Sequence, residues 1–336
     1  MASKPHNILV VQVAALGADL AAAFPEIASR FPLSWHPLTA CFPAVTSTAQ
    51  ATFRTGLPPA EHGMICNGVF DREMRSTEFW NQSACLLPRR RIWDAFRSRG
   101  GRVGTLCWQQ SLGDDVDIIL SPAPIHKHSG GMIQDCYTVP DDLYDRLVES
   151  VGGPFNLFRY WGPLSSGTST DWIAQATAAV MAQHDGDDTP LLLLTYLPHL
   201  DYALQKHGPS ARETAETAFR ELVDHLMLLF ESADAHDFGV LVWGDYAMVD
   251  ARRTVFPNRV LREKGLFRVR RVKKHTYADL YRSRAFAMVD HQAAHVYVPD
   301  MADIAAVRNS LAQLPGIADV LEHAALDHPR SGELIL

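Results

Sequence analysis

The chain has 336 residues, with 31 Lys plus Arg against 38 Asp plus Glu, a net charge of −7 and 47% apolar residues. This composition excludes a disordered or fibrous protein and supplies a sizeable core, in one large α/β unit or about two domains. The acidic balance and the lack of a sustained basic tract argue against nucleic acid or an anionic membrane as main partner, and for a small substrate.

In chain order, the N-terminus imitates an export signal, with Lys4, an apolar stretch over 8–16 and small residues at Ala21, Ala22 and Ala23. Gln12 interrupts that stretch and Asp19 follows it closely, so a buried first strand is the expectation. Apolar runs without alternation recur at 8–13, 102–107, 116–120, 191–197 and 238–243, as in parallel strands buried on both faces. Between the last two, 210–232 reads as a helix. Ser210 and Glu213 suggest a capping box, and Ala218, Phe219, Leu222, Val223, Leu226, Leu229 and Phe230 form an apolar stripe. Strand, loop, helix, strand is the grammar of an α/β fold, a mostly parallel sheet sandwiched by helices.

Beyond about Arg252 the texture changes, and 285–289, 295–298, 318–321 and 333–336 read as short strands around a helix over 301–314. The expected division is therefore a core with inserted loops over 1–250 and a small α+β cap over 251–336. The chain stops at Leu336 inside an apparent strand, which suggests truncation. Five scattered cysteines without a CxxC pair point to a reducing, cytoplasmic compartment, and no run approaches the ~20 apolar residues that span a bilayer. Nothing in the sequence sets the oligomeric state.

In open parallel sheets ligands gather beyond the carboxyl ends of strands, which singles out Gln12, Thr46, Asp201 and Asp245. Two carboxylates at equivalent strand ends can share a divalent cation, or each can serve as an ordinary turn or cap residue. Pro43 forces an extended entry to Thr46, and the small polar residues after it can start a helix. A hydroxyl there is either an N-cap or a group set against free N–H donors that favour a phosphate or a developing alkoxide. His291 and His295, and His199 and His207 beside Asp201, read as structural or surface histidines before they read as ligands. The alternating cations from Arg268 to Lys274 suit an exposed edge strand, or a rim that attracts an anionic substrate. Phe155, Phe158, Tyr160, Trp161 and Trp172 read as core filling.

The stretch Phe42-Pro43-Ala44-Val45-Thr46, then Thr55-Gly56-Leu57-Pro58-Pro59-Ala60-Glu61-His62-Gly63 and Asn67-Gly68, resembles the nucleophile region of the type I phosphodiesterase and nucleotide pyrophosphatase family, within the alkaline phosphatase superfamily. Tyr196-Leu197-Pro198-His199-Leu200-Asp201 resembles the segment that supplies one metal-binding aspartate, and Gly244-Asp245-Tyr246-Ala247-Met248 resembles a later metal-binding turn. The piece from Leu326 to Leu334 is similar to family sequence as well.

The resemblance implies two divalent ions, usually zinc, and a threonine nucleophile that forms a covalent intermediate. Carried over, Thr46 is the nucleophile, and Asp201 and Asp245 are metal ligands. Gln12, Gln205 and Tyr246 stand where an aspartate and two histidine ligands are usual, and Ala49 stands where an asparagine is usual. A late histidine ligand of the family falls beyond the last residue of this chain. These exchanges remove an anion and two imidazoles and leave an oxygen-rich set that suits Mg²⁺, Mn²⁺ or Ca²⁺ better than Zn²⁺, with one ion or none bound. The leading expectation is a phosphoryl-transfer hydrolase acting on a small anionic phosphomonoester or phosphodiester. The alternatives are a degenerate relative that binds an anionic metabolite without turnover, and one that runs a metal-independent reaction in the same cleft.

Overall fold

The unalternating apolar runs become the strands of one sheet. A computed structural model describes residues 7–336, so Lys4 of the signal-like stretch lies outside the described residues, while the apolar residues after it form the strand Asn7–Val13. Across the sheet the order is Phe238–Gly244, Asn7–Val13, Leu191–Leu197, Arg102–Leu106, Ile118–Pro122 and Cys136–Val139. Every neighbouring pair is parallel except the last, in which Cys136–Val139 runs antiparallel. Leu9, Val11, Val13, Leu193, Leu194 and Leu197 are fully buried, which explains why these strands lack a polar alternation.

Helices flank this sheet. Helix Gly167–Gln183 packs on strand Leu191–Leu197 and on helix Arg212–Ala235, which in turn packs on strand Phe238–Gly244. Phe219, Leu222, Leu226 and Leu229 are fully buried along the predicted stripe, and each contributes about 1.5–3 kcal/mol. The predicted capping box does not form. The helix starts at Arg212 behind Ala211, which makes no side-chain cap, and the Ser210 N–H donates instead to Asp250 Oδ1 at 3.2 Å. Phe155, Tyr160 and Trp172 are buried against one another, with ring centroids 5.1 and 5.4 Å from Phe155, whereas Phe158 is exposed.

The chain divides into two compact units. One takes the described residues up to Ala40 together with Gln82–Asp250, and the other takes Cys41–Asn81 with Ala251–Leu336. The sequence reading placed 41–81 with the core. The physical reason for its grouping is aromatic and ionic: the Phe70 ring sits 4.7 Å from Phe286 and 4.6 Å from Tyr297, and Arg72 pairs with Glu333 at 2.9 Å. In this second unit the strands Phe286–Asp290, Ala293–Tyr297, Leu334–Ile335 and Leu321–Glu322 follow one another across a four-stranded sheet. The single helix expected over 301–314 is a short 3₁₀ turn, Met301–Asp303, leading into helix Ile304–Ala312. The basic stretch forms an exposed two-stranded hairpin, Val269–Val272 with His275–Ala278.

Candidate active site

In the first unit the strand ends bring Gln12, Asp201 and Asp245 together with Tyr246. Gln12 stands opposite Trp243 and Tyr196 in the sheet, so its fully buried side chain reaches the turn that follows strand Phe238–Gly244. There its Nε2 donates to Asp245 Oδ2 at 2.8 Å. The N–H groups of Ala15 and Tyr246 donate to Asp245 Oδ1 at 2.9 and 3.0 Å. Tyr246 in turn donates its phenol to Asp201 Oδ1 at 3.0 Å. Asp201 lies in the first turn of helix His199–His207, and Gln205, four residues on, shares that face and is exposed.

The local backbone is shaped to allow this. A Cβ on Gly244 would meet Leu16 O at 1.9 Å, so only glycine lets the loop after the first strand close on Asp245. Ala15, which donates one of the N–H groups, holds a left-handed φ of 60°, a conformation that costs on the order of 1 kcal/mol.

Asp245 is 4% exposed. Burial pushes its carboxyl up to about 7, and the nearby Asp201 charge adds to the rise, against the lowering effect of the Ala15 and Gln12 donors. Gln12 Oε1, also buried, has no hydrogen-bond partner among the described residues. The site therefore holds two neighbouring carboxylates and an orphaned amide oxygen.

That donor set decides which metal fits. Among the described residues no group of three or more His, Cys, Asp or Glu side chains is placed to hold a metal ion. A zinc pair, which needs imidazoles or further anions, does not fit. A single oxygen-preferring cation does, because Mg²⁺-type ions are held by one or two carboxylates plus neutral oxygens, water and substrate phosphate.

Thr46 belongs to the second unit. It is the first residue of helix Thr46–Thr55 and is 4% exposed, and the cap residue before it is Val45, so the N-cap reading of this threonine does not hold. The helix closes at Gly56 with φ 66°. A role for Asn67, quoted in the sequence only as part of a motif, emerges here: its Oδ1 accepts the Ser47 N–H at 3.0 Å, and its own N–H donates to Asp290 Oδ2 at 2.7 Å. Asp290 carried no sequence signal beyond its place before His291.

Three of the histidines, His62, His199 and His295, hydrogen-bond to the backbone. His62 accepts the Met64 N–H at Nδ1 and meets Thr52 Oγ1 at 3.0 Å through Nε2, bracing its loop. His199 Nε2 lies 3.0 Å from Ala218 O, and His295 Nε2 lies 3.3 Å from Ile65 O. Burial lowers both imidazoles to about 4, so they are neutral at physiological pH. His291 is half exposed and pairs with Asp290 at 2.7 Å.

Known proteins carry the same fold. Phosphonoacetate hydrolase from Sinorhizobium meliloti, in complex with phosphonoformate, superposes with a TM-score of 0.62 at 17% identity, over 99% of this chain and 81% of its own. An inactive variant of murine ectonucleotide pyrophosphatase/phosphodiesterase 5, in complex with AMP, gives 0.62 at 14% identity over 98% and 78%. The human form of that protein gives 0.63 at 14% identity over 98% and 77%. No curated protein sequence matches the chain. The model of the family "Type I phosphodiesterase / nucleotide pyrophosphatase" matches residues 29–336. With this match over most of its length, the chain belongs to the type I phosphodiesterase/nucleotide pyrophosphatase family of phosphoryl hydrolases, in the alkaline phosphatase superfamily.

Proposed function

We propose that the protein hydrolyses a small phosphomonoester or phosphodiester, with Thr46 as nucleophile and one oxygen-preferring divalent cation, Mg²⁺ or Mn²⁺, held by Asp201, Asp245 and Gln12 Oε1. The observation that carries this reading is the pairing of two neighbouring carboxylates with an unpartnered, fully buried amide oxygen. When bound, the cation would supply positive charge to the phosphoryl oxygens. The N–H groups of Ala15 and Tyr246 and the Gln12 Nε2 donor fix the Asp245 carboxylate. Thr46 offers a hydroxyl at the positive end of a ten-residue helix, where a developing alkoxide is favoured. The relatives bind a phosphonate and a nucleotide, and both ligands present a phosphoryl group. Five free cysteines support a reducing, cytoplasmic setting, and among the described residues no helix is long and apolar enough to cross a membrane.

A second reading, binding of a phosphorylated metabolite without turnover, is favoured by the Tyr246 phenol, which presents a proton rather than a lone pair to Asp201. Turnover of bis(4-nitrophenyl) phosphate separates the two. Activity that needs Mg²⁺ or Mn²⁺, disappears with chelator and falls by several orders of magnitude in Thr46→Ala supports hydrolysis. Phosphate or AMP binding without turnover supports the binder, and turnover indifferent to both chelator and Thr46→Ala overturns the main reading.

A further inference from the structure

Asp290 ends the strand Phe286–Asp290 of the second unit and is 5% exposed. Its two oxygens clamp one residue twice: Oδ2 accepts the Asn67 backbone N–H at 2.7 Å and Oδ1 accepts Asn67 Nδ2 at 3.3 Å. With its amide nitrogen turned to the carboxylate, Asn67 must present Oδ1 on the other side, where it accepts the Ser47 N–H at 3.0 Å. Ser47 is fully buried in the first turn of helix Thr46–Thr55, directly after Thr46. His291 Nδ1, 2.7 Å from Asp290 Oδ1, completes a chain that runs from the strand end to the helix start.

We infer that Asp290 is a positioning residue for Thr46, acting through Asn67. The inference rests on the reading of Thr46 as nucleophile and adds what fixes its direction. Val45, the residue before the helix, has no side-chain oxygen to cap the first turn, so the cap is supplied from Asn67, 20 positions after Ser47, and is itself held from Asp290, 223 positions after Asn67. Only a carboxylate provides two acceptors to two N–H donors at once. An asparagine at 290 would satisfy one of them and set a donor against the other, freeing the Asn67 amide to rotate and releasing the Ser47 N–H. The Thr46 hydroxyl then loses its fixed direction, and misplacement by about 1 Å reduces rate by about 100-fold.

The test uses the full chain with Asp290→Asn and two readouts. The first is hydrogen exchange of the Ser47 amide, expected to accelerate about tenfold as the turn opens locally. The second is turnover of bis(4-nitrophenyl) phosphate, with kcat expected to fall about 100-fold while KM stays within a few-fold. Wild-type exchange at Ser47 and wild-type kcat in the folded variant overturn the inference. Should Asp290→Asn not fold, Asp290→Glu keeps the charge beside His291 but moves both acceptors by a methylene, and the same two readouts decide. Asn67→Ala should reproduce the effect, and adding it to Asp290→Asn should bring no further loss; additive losses mean that Asp290 does not act through Asn67. If Thr46→Ala retains full turnover, the nucleophile reading fails, while the exchange rate at Ser47 still decides whether Asp290 holds the helix start.

Discussion

The phenol of Tyr246 donates to Asp201 Oδ1 over 3.0 Å, joining two residues 45 positions apart at the place where the family pattern expects an imidazole bound to metal. A phenol is protonated near neutrality, so this position supplies a hydrogen bond where an imidazole would supply a lone pair. Gln12 donates likewise to Asp245, and under the proposed function the two exchanges favour a hard cation over a zinc pair.

Reversing the exchanges should restore zinc. The triple variant Gln12→Asp, Gln205→His, Tyr246→His is expected to retain zinc through gel filtration, as read by elemental analysis, while the unaltered chain loses it. Equal zinc content in both would show that these positions do not set metal choice.

Asp245 gives the first unit an unusual pH dependence. Its folded carboxyl is raised from 3.8 to about 7, so the favourable contribution is complete below about pH 4 and is lost as pH rises through about 7. The loss is on the order of 4 kcal/mol in chelated protein. Urea midpoints of Asp245→Asn should stay flat across that window, exceed those of the unaltered chain at pH 8 and ignore Mg²⁺, whereas Mg²⁺ should protect the unaltered chain. Parallel pH profiles for the two proteins would refute the assignment.

The second unit should behave in the opposite sense in acid. Burial lowers the His295 imidazole from 6.5 to about 4, so its contribution is complete above about pH 6.5 and disappears as pH falls through about 4. The magnitude is roughly 3 kcal/mol. His295→Gln is expected to flatten the acid limb of the unit's unfolding curve, and an unchanged limb would exclude His295 as its source.

Gly244→Ala should be far more damaging than its size suggests. The added Cβ meets the Leu16 carbonyl oxygen, a backbone atom that cannot yield without moving the Asp245 turn. A loss of about 3 kcal/mol is expected from this overpacking. Gly153→Ala, where nothing lies within 4 Å, is the control and should stay within about 0.5 kcal/mol in thermal unfolding.

Much of this was legible in the residues alone. Parallel strands buried on both faces leave continuous apolar runs, so all five predicted runs became strands of one sheet, within two residues at their ends. Gln12, Asp201 and Asp245 were singled out because ligands gather at the carboxyl ends of parallel strands, and Tyr246 through the family resemblance. The link through Asp290 was hidden because hydrogen bonds to Asn67 span 223 positions and leave no periodic trace. The grouping of Cys41–Asn81 with Ala251–Leu336 was hidden for the same reason, since it depends on which ring Phe70 meets and not on any local pattern. The capping box failed because Asp250, far along the chain, captures the Ser210 N–H.

The pairing of Asn7–Val13 between Leu191–Leu197 and Phe238–Gly244 has a consequence for biogenesis. That strand cannot be flanked on both sides until Gly244 has been made, a wait of roughly 10–50 s at ordinary elongation rates. Throughout that interval Leu9, Val11 and Val13 are a sticky nascent segment open to chaperone capture, an exposure that the full-length chain refolding from denaturant, with both partner strands already present, does not undergo.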